Sequence, residues 1–273
     1  MTLGELIRDT EKRFRAAKLF YGHGTSHPGD EAAWLVRRAL RLPFDAPLEK
    51  TVGAKGVKKI APLVRKRVEE RIPVAYLLNE AWLDDHAFYV DRRVIIPRSH
   101  IAAMLKGKLF DKEPARILDL CTGSGCLAIL AALRFLRARV VATDLSPAAL
   151  EVARENIARY KLGKRIRLLE SDLFEKVEGR YDLVLANPPY VSRRAMRTLP
   201  REYRYEPGLA LAGGADGLAL IRRLIAESGS HLAWNGLLLC EVGDGRRALE
   251  RTHRGARLQW PLDEVFSLRK GVG

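Results

Sequence analysis

Residues 116–144 read RILDLCTGSGCLAILAALRFLRARVVATD, and this stretch decides the fold. It begins with the apolar run RILDL, which is typical of a buried strand, and continues through a glycine turn into an alanine-rich helix that ends near Arg137. A second strand-forming run, RVVATD, occupies residues 139–144. A strand, a helix and a second strand in this order predict a βαβ unit, in which the two strands are parallel.

The same alternation of strands and helices continues toward the carboxyl terminus. Ser146 caps a helix that begins at Pro147, and a long helix follows Asp216. This alternation predicts an α/β fold with a mainly parallel, doubly wound, Rossmann-like sheet. Further strands are predicted over the apolar segments 166–171, 181–189 and 236–242, and the segments 256–260 and 265–270 are predicted to be strands joined by a short turn.

The part of the chain that precedes this sheet has a different pattern. Thr2 and Glu5 form a predicted capping box, and apolar residues at helical spacing then predict three short helices that end before Pro73. Strand-forming residues between Tyr76 and Pro97, interrupted by Asp-Asp and Asp-Arg-Arg, predict a β-hairpin. We therefore expect a small helical domain over residues 1–78, a hairpin linker over 79–112 and a catalytic domain over 113–273.

The composition excludes several classes of protein. The 273 residues are 47% hydrophobic and 30% charged, which excludes disorder, and no apolar run reaches the length of a membrane span. Three cysteines without a C-x-x-C pair support neither a zinc site nor a disulfide framework. The charged start MTLGELIRDTEKRF is unlike a signal peptide. We expect a reduced, cytoplasmic location, with no metal and no membrane as partners.

The chain is strongly basic. It has 48 lysines and arginines against 33 aspartates and glutamates, which gives a formal net charge of +15. Such a balance suits an anionic partner, for example RNA or a ribosomal particle. Because the basic residues are dispersed along the chain, a surface that merely keeps the protein in solution is the alternative.

The glycine turn of the opening stretch predicts a nucleoside-like ligand. Gly123 and Gly125 allow a sharp turn and a close approach of the ligand, and Asp144 can accept hydrogen bonds from a ribose diol. Dinucleotide folds place glycine directly after the strand, whereas the acid Asp119 stands here and would repel a pyrophosphate. S-adenosylmethionine has no phosphate and carries cationic groups, so it is favoured over NAD. Asp172 is predicted either to accept from the adenine amino group or to be a helix cap or turn residue.

The tetrapeptide Asn187-Pro188-Pro189-Tyr190 follows the strand YDLVLA, at the edge where an open sheet has its ligand crevice. The prolines end the sheet and hold the backbone extended, so the Pro188 carbonyl and the Asn187 side-chain oxygen can both accept from a planar NH2 group. These acceptors let the nitrogen direct its lone pair at a methyl group, and they stabilise the positive charge that develops. Tyr190 offers a face on which the planar target can stack.

The segments DLCTGSGCLAI (119–129) and ANPPYVS (186–192) resemble those of class I S-adenosylmethionine methyltransferases that modify the glutamine side-chain nitrogen in proteins. One branch of this family modifies translation release factors, and another modifies the third large-subunit ribosomal protein. The segments 21–40, 71–83 and 88–99 resemble the ribosomal-protein branch, and Ser99 stands where the release-factor branch typically has proline. The resemblance implies a large-subunit ribosomal protein as the partner that carries the target glutamine, with ribosomal RNA or an assembly intermediate as a further partner.

The resemblance also implies where the ligands bind. The donor is expected against the Gly123–Gly125 turn, and the target glutamine against Asn187, Pro188, Pro189 and Tyr190. Arg98 lies in a segment that typically borders the donor. Together, the motifs and the resemblance predict a donor site formed by Asp119, Cys121, Thr122, Gly123, Gly125, Asp144, Leu145, Ser171, Asp172, Asn187 and Arg98.

Other functions stay open at this point. A release-factor glutamine methyltransferase would share both motifs, and an adenine amino-methyltransferase shares N-P-P-Y but needs a reader of its nucleic acid. An assembly factor without activity would bind ribosomal precursors through its basic surface, although here the donor motif is intact. We also predict that the helical domain selects the protein substrate. Its basic residues would engage either ribosomal RNA near the target or acidic patches on the protein, and they are Lys12, Arg13, Arg15, Lys18, Arg37, Arg38 and Arg41.

Overall fold

Helices form the amino-terminal part of the chain in a computed structural model that describes residues 1–107, 112–253 and 258–271. The predicted capping box begins the first helix, because the Glu5 N–H donates to Thr2 Oγ1 at 3.2 Å and the Thr2 N–H donates to the Glu5 carboxylate at 2.7 Å. The helices pack their apolar faces into one buried core. They are α1 (Leu3–Ala16), α2 (Pro28–Ala39), α3 (Ala54–Arg65), which continues as a π-helical turn to Glu70, and the short α4 (Val74–Leu78).

A hairpin follows these helices, as predicted, but it is shorter than the sequence indicates. Its strands are β1 (Ala81–Leu83) and β2 (His86–Phe88). The strand-forming residues from Tyr89 to Ile96 belong to no strand, because side chains from distant segments bind their backbone. The Tyr89 N–H donates to Asn156 Oδ1 at 2.7 Å, and the Ile96 N–H donates to a Glu206 carboxylate oxygen at 3.0 Å.

The hairpin linker shares the core of the helical domain. Val90, Val94 and Ile96 are fully buried in it, so that the packed unit continues past the expected boundary at residue 78. Residues 108–111, at the end of the expected linker, lie outside the described residues. The division at residues 78 and 112 stays a prediction.

A seven-stranded sheet forms the centre of the rest of the described chain. Its strands are β3 (Arg116–Leu120), β4 (Arg139–Asp144), β5 (Ile166–Glu170), β6 (Tyr181–Ala186), β7 (Leu232–Glu241), β8 (Gln259–Leu262) and β9 (Val265–Arg269). The order across the sheet is β5-β4-β3-β6-β7-β9-β8. The first five strands in this order are parallel, and β9 and β8 are antiparallel additions at one edge. The predicted strand over 256–260 is described only from residue 258, since residues 254–257 lie outside the description.

Helices cover both faces of this sheet, which confirms the predicted doubly wound fold. These helices and their shorter neighbours are α5 (His100–Met104), α6 (Cys126–Arg134), α7 (Pro147–Arg159), α8 (Arg193–Met196), α9 (Ala219–His231) and α10 (Arg246–Thr252). Alternate residues of a strand face opposite cores: Ile117 packs with α6 and α7, and Leu118 packs with α9 and α10. Among the residues described, no helix combines the length and apolarity that a membrane crossing requires.

Candidate active site

The turn between β3 and α6 lies at the carboxyl end of the parallel strands, where open α/β sheets bind their ligands. The Gly123 N–H donates to Asp144 Oδ2 at 2.9 Å, which links this turn to the end of β4. Gly125 has φ +79° and lies against α7: a Cβ there would stand 3.2 Å from the Ala153 Cβ. Glycine at this position therefore sets both the turn and the close packing of two helices.

Asp119 lies beneath this turn and is 1% exposed. Its Oδ2 accepts from Thr122 Oγ1 at 2.5 Å and from the Ala128 N–H at 3.0 Å, and its Oδ1 has no partner among the described residues. Burial raises the pKa of Asp119 to about 7. Leaving a buried carboxylate oxygen without a hydrogen-bond donor costs free energy. This oxygen therefore favours a ligand that donates a hydrogen bond or carries a positive charge.

Asp144 is held rigidly at the end of β4. Besides Gly123, the Ser146 N–H donates to its Oδ1 at 2.9 Å. Burial raises the pKa of Asp144, and the backbone N–H groups act in the opposite direction. A carboxylate has more acceptor sites than these N–H groups occupy, which suits a pair of ligand hydroxyls.

A cleft of about 760 Å³, counting its open mouth, lies over the strand ends. Of the predicted donor residues it is lined by Cys121, Gly123, Asp144, Leu145, Ser171, Asp172 and Asn187, together with Pro189. Asp119, Thr122 and Gly125 are buried and do not line the cleft. Asp172 accepts from Arg223 at 3.0 and 3.1 Å, so part of its hydrogen-bonding capacity is already used within the protein. We call this cleft the donor cleft.

A second cavity, of about 1290 Å³ with its open mouth, lies on the other side of the N-P-P-Y loop. Asn187 lines both cavities, Pro188 and Tyr190 line the second, and Pro189 lines the donor cleft. The tetrapeptide therefore forms the partition between them. We call the second cavity the acceptor cavity.

The N-P-P-Y loop rests on a glycine-containing turn that the sequence pattern did not assign to the site. A Cβ at Gly217, where φ is +85°, would stand 2.4 Å from the Tyr190 carbonyl oxygen, so only glycine fits. The Val191 N–H donates to the Leu211 carbonyl, and the Gly213 N–H donates to the Val191 carbonyl. The segment GADGL (214–218) thus supports the loop rather than simply opening α9.

Arg98 differs from its predicted place. It lines the acceptor cavity and not the donor cleft, because Glu206 holds its guanidinium through two hydrogen bonds of 2.6 Å. Glu206 also accepts from the Ile96 N–H, and its side chain is fully buried. His23 of the helical domain lies 3.9 Å from the same carboxylate, and burial lowers the pKa of His23 to about 4. This histidine is therefore neutral near pH 7.

A second buried carboxylate attaches the same segment to the helical domain. Glu202 accepts from the Phe20 N–H at 3.1 Å and from Arg67 at 3.3 Å, and Arg71 lies 3.6 Å from it. Arg67 is 1% exposed and also donates to Glu31 at 2.7 Å. The wall of the acceptor cavity is thus fastened to the amino-terminal helices by buried ion pairs.

Ser99, which distinguishes this chain from the release-factor branch, forms a hydrogen bond to a buried carboxylate. Its hydroxyl donates to the carboxylate of Glu241, at the buried end of β7, and the Ile101 N–H donates to the same oxygen at 3.3 Å. A proline at position 99 has no hydroxyl, so it would remove this donor from a buried carboxylate.

Known methyltransferases are similar to this chain over most of its length. A family model described as "Methyltransferase small domain" matches residues 101–200. The chain is 46% identical over 275 residues to the ribosomal protein uL3 glutamine methyltransferase of Bordetella pertussis, with 97% of this chain and 92% of that protein covered. It is 43% identical to the protein of the same name from Burkholderia pseudomallei, with 95% and 90% covered, and 44% identical to that of Bradyrhizobium diazoefficiens, with 95% and 86% covered.

A solved methyltransferase from Pyrococcus furiosus resembles the fold. The TM-score is 0.50 at 18% identity, and the match covers 79% of this chain and 98% of that one. At this identity the likeness supports the Rossmann-like architecture alone.

Proposed function

The chain belongs to the family of ribosomal protein uL3 glutamine methyltransferases, and from this premise we propose which of its residues carry out the reaction. It is an S-adenosylmethionine-dependent enzyme that methylates the side-chain amide nitrogen of a glutamine, and its substrate is uL3. The observation that carries the assignment of the site is that Asn187 lines both the donor cleft and the acceptor cavity. A group at this partition can contact a nitrogen that reaches toward the donor.

The residues of the donor cleft fit S-adenosylmethionine. Bound there, the donor supplies an electrophilic methyl group on a sulfonium. Asp144 would accept from the ribose hydroxyls with oxygens that its backbone donors already hold in place. Asp119, with an unpartnered Oδ1 beneath the turn, lowers the electrostatic potential of the cleft and so favours a cationic ligand. Arg93 also lines the cleft, but Asp91 and Glu151 neutralise it.

Asn187 and Pro188 prepare the target nitrogen. An amide lone pair is delocalised, and full rotation out of conjugation costs about 18–20 kcal/mol. The Asn187 Oδ1 and the Pro188 carbonyl accept from the two amide N–H groups, and they favour the pyramidal nitrogen because positive charge develops there during attack. Fixed acceptors need no reorganisation during the reaction, and they position the nitrogen as well.

Tyr190 provides a neutral aromatic face beside this nitrogen. Burial raises the pKa of its hydroxyl to about 12, so the residue is no base at neutral pH. Gly243 lies under its ring: a Cβ there would stand 2.7 Å from a ring carbon. A general base is not required, because the alkylated nitrogen is acidic and loses its proton to water.

The wider setting of the reaction is also a proposal. We propose that uL3 is methylated while it contacts ribosomal RNA, in an assembly intermediate of the large subunit, and that this takes place in the cytoplasm. The three cysteines are free thiols, which agrees with a reducing compartment. We retain the domain division at residues 78 and 112, with substrate selection as the task of the helical domain. Two of the basic residues expected to act there, Arg15 and Arg38, already pair with Glu11 and Glu80.

The test compares intact masses of large-subunit proteins from cells with and without this chain. We expect uL3 alone to lack the mass of one methyl group when the chain is absent. Fragmentation of uL3 from cells that contain the chain should place that methyl group on a glutamine. Complementation with the wild type should restore it, whereas Asn187→Ala should not. A change in methylated adenosine of the RNA, with uL3 unchanged, would favour the adenine amino-methyltransferase, and a change in a release factor would favour the other branch.

A further inference from the structure

The segment that follows the N-P-P-Y loop concentrates exposed arginines. Residues 193–204 contain five arginines and a single acid, Glu202, which is buried against the helical domain. All five arginines are exposed, and within the described ranges none of their side chains forms an ion pair or a hydrogen bond. We call them the arginine rim: Arg193, Arg194, Arg197, Arg201 and Arg204.

These free charges contrast with the arginines around them. Arg67, Arg98 and Arg223 are each paired with a carboxylate. Arg193 and Arg197 are four positions apart across the short α8, a spacing at which like charges repel. The rim therefore carries an unfavourable charge density that an anionic partner would relieve.

The rim borders the acceptor cavity. Ala195, Leu199 and Tyr203 of the same segment line that cavity, together with the preceding Ser192. The segment is held near both ends: the Arg193 N–H donates to the Gly214 carbonyl at 2.9 Å, and the hydroxyl of the following Tyr205 donates to the Glu70 carbonyl at 2.5 Å. The arginines are thus presented on a supported wall beside the place of the target glutamine.

The acids of the acceptor cavity do not neutralise the rim. Asp216 lines the cavity and pairs with Arg222, and Asp244 is exposed. Neither forms an ion pair with a rim arginine in the described part of the chain. A partner that approaches the cavity along residues 193–204 therefore meets positive charge.

The chemistry of the rim favours phosphate as its ligand. Guanidinium groups bind phosphate through paired hydrogen bonds, and several arginines in one segment match the repeated charges of a nucleic-acid backbone. A ribosomal protein that binds RNA has a basic surface of its own, and this enzyme has a net charge of +15. Two basic surfaces repel each other, and a polyanion beside the target glutamine would relieve that repulsion.

Resting on the function proposed above, we infer that the arginine rim binds the phosphate backbone of RNA held by the substrate protein next to its target glutamine. The enzyme therefore prefers uL3 bound to RNA over free uL3. The rim lies in the catalytic domain, so part of the substrate selection resides outside the amino-terminal helices.

The test uses the full-length triple variant Arg193→Gln/Arg194→Gln/Arg197→Gln. The matched control is Lys55→Gln/Lys58→Gln/Lys59→Gln, which removes the same charge from exposed lysines of α3 that have no ion-pair partner among the described residues. The first measurement is the binding of fluorescein-labelled oligouridine over a series of salt concentrations. Loss of three phosphate contacts should weaken binding on the order of a hundredfold at about 0.1 M salt and reduce the salt slope by about 2. The control variant should keep most of the affinity for oligouridine and most of the salt slope.

The second measurement is methylation of two substrates: large-subunit particles from cells without the enzyme, and free uL3. The rim variant should lose its preference for the particles, with kcat/KM on them falling at least tenfold, while its rate on free uL3 stays near that of the wild type. Donor affinity, measured by calorimetry, verifies that the variant is folded and that the donor cleft is intact.

Three outcomes overturn the inference. An unchanged salt slope in the rim variant means that the arginines do not contact phosphate. An equal loss in the α3 control means that net charge, and not the rim, binds RNA. Competition by polyglutamate as strong as that by oligouridine means that an acidic protein is the ligand. If the wild type methylates neither form of uL3, the proposed function fails, and the oligouridine measurement still decides on the rim.

Discussion

The donor cleft and the acceptor cavity both depend on buried carboxylates, but the two are assembled over very different distances along the chain. Asp119 and Asp144 accept from residues that are 2, 3, 9 and 21 positions away. Glu202 and Glu206 accept from residues that are 108, 110, 135 and 182 positions away. The two carboxylates of the donor cleft are therefore positioned by neighbouring βαβ units, although the linker residues Arg93, Val94 and Ile95 also line that cleft. The acceptor wall, by contrast, requires the helical domain and the linker to dock on it.

This contrast predicts that donor binding and acceptor binding respond to different substitutions. The donor is a small molecule, and the carboxylates proposed to hold it are fixed by backbone N–H groups close by in the chain. The acceptor is a side chain of another protein, and its cavity is completed by residues from three parts of the chain. Changes in the acceptor wall should lower turnover and stability while donor affinity persists.

The largest effect is expected at Glu206. Glu206→Ala leaves the Arg98 guanidinium and the Ile96 N–H without their acceptor, and breaking a buried ion pair from one side typically costs about 3–5 kcal/mol. We expect a loss of that order in the free energy of unfolding, measured by urea titration, and reduced kcat/KM on uL3. Glu250→Gln removes an exposed partner of Arg246 and should cost less than about 1 kcal/mol. Equal losses in both variants would show that the buried clamp does not support the wall.

Asn187→Ala tests the partition between the two cavities. Removal of one fixed polar group aimed at a developing charge typically raises the barrier by about 3–4 kcal/mol, which is a loss of roughly 10²- to 10³-fold in turnover. Donor affinity by calorimetry should change little. Asn187→Asp keeps an accepting oxygen and should retain more activity than Asn187→Ala. A donor affinity that falls as far as the rate does would assign Asn187 to the donor alone.

Asp144→Ala should weaken donor binding rather than lower turnover. A hydrogen bond to a charged group is worth about 1.5–3 kcal/mol, so the donor dissociation constant should rise by roughly tenfold or more. Turnover at saturating donor should be affected less. Asp172→Ala is the matched comparison, and we expect it to weaken donor binding less because Arg223 already occupies that carboxylate. An unchanged dissociation constant in the Asp144 variant would place the ribose elsewhere.

The last effect concerns proton uptake, and it has opposite signs in the two regions. The pKa of Asp119 is about 7 in the folded protein against an ordinary 3.8, so the folded state binds the extra proton and stability falls as pH rises from about 4 to 7. The pKa of His23 is about 4 against an ordinary 6.5, so the unfolded state binds the proton and stability falls as pH drops from about 6.5 to 4. Each slope is at most about 1.4 kcal/mol per pH unit.

Two variants separate these slopes. Asp119→Asn should gain stability relative to the wild type as pH rises through this window, and His23→Gln should lose less stability than the wild type on acidification. The measurement is the urea midpoint at several pH values. Parallel pH profiles for the wild type and both variants would contradict the two assignments.

Much of the donor side was predictable because its signals are local. The turn after RILDL, the glycines and Asp144 lie in one βαβ unit, and the parallel sheet brings them together by its own geometry. The prediction that Asn187 to Tyr190 follow a strand end was also confirmed, since β6 ends at Ala186. Local spacing was sufficient wherever the partners belong to adjacent strands.

The errors fall where a distant segment supplies the partner. Tyr89 to Ile96 have the composition of a strand, but Asn156 and Glu206 bind their backbone instead. Arg98 was expected beside the donor, yet Glu206 draws it to the acceptor cavity. Glu202 belongs to no motif, and Glu206 was given no role although it begins the family-like segment EPGLAL (206–211), because a carboxylate in a polar segment is ordinarily exposed. Gly217 can be recognised in the sequence as a turn residue, but its contact with Tyr190 is evident only in the structure.

The sequence by itself determined the sheet, the donor turn, the tetrapeptide and the family of the chain, because strand alternation, glycine spacing and a run of two prolines act within a few residues. Only the tertiary structure decided which carboxylates are buried, which arginines are paired and which are free, and what completes the acceptor cavity. The physical reason is that a charge is neutralised by whichever opposite charge lies within a few ångströms in space. For Glu202 and Glu206 those charges come from segments more than a hundred residues earlier in the chain.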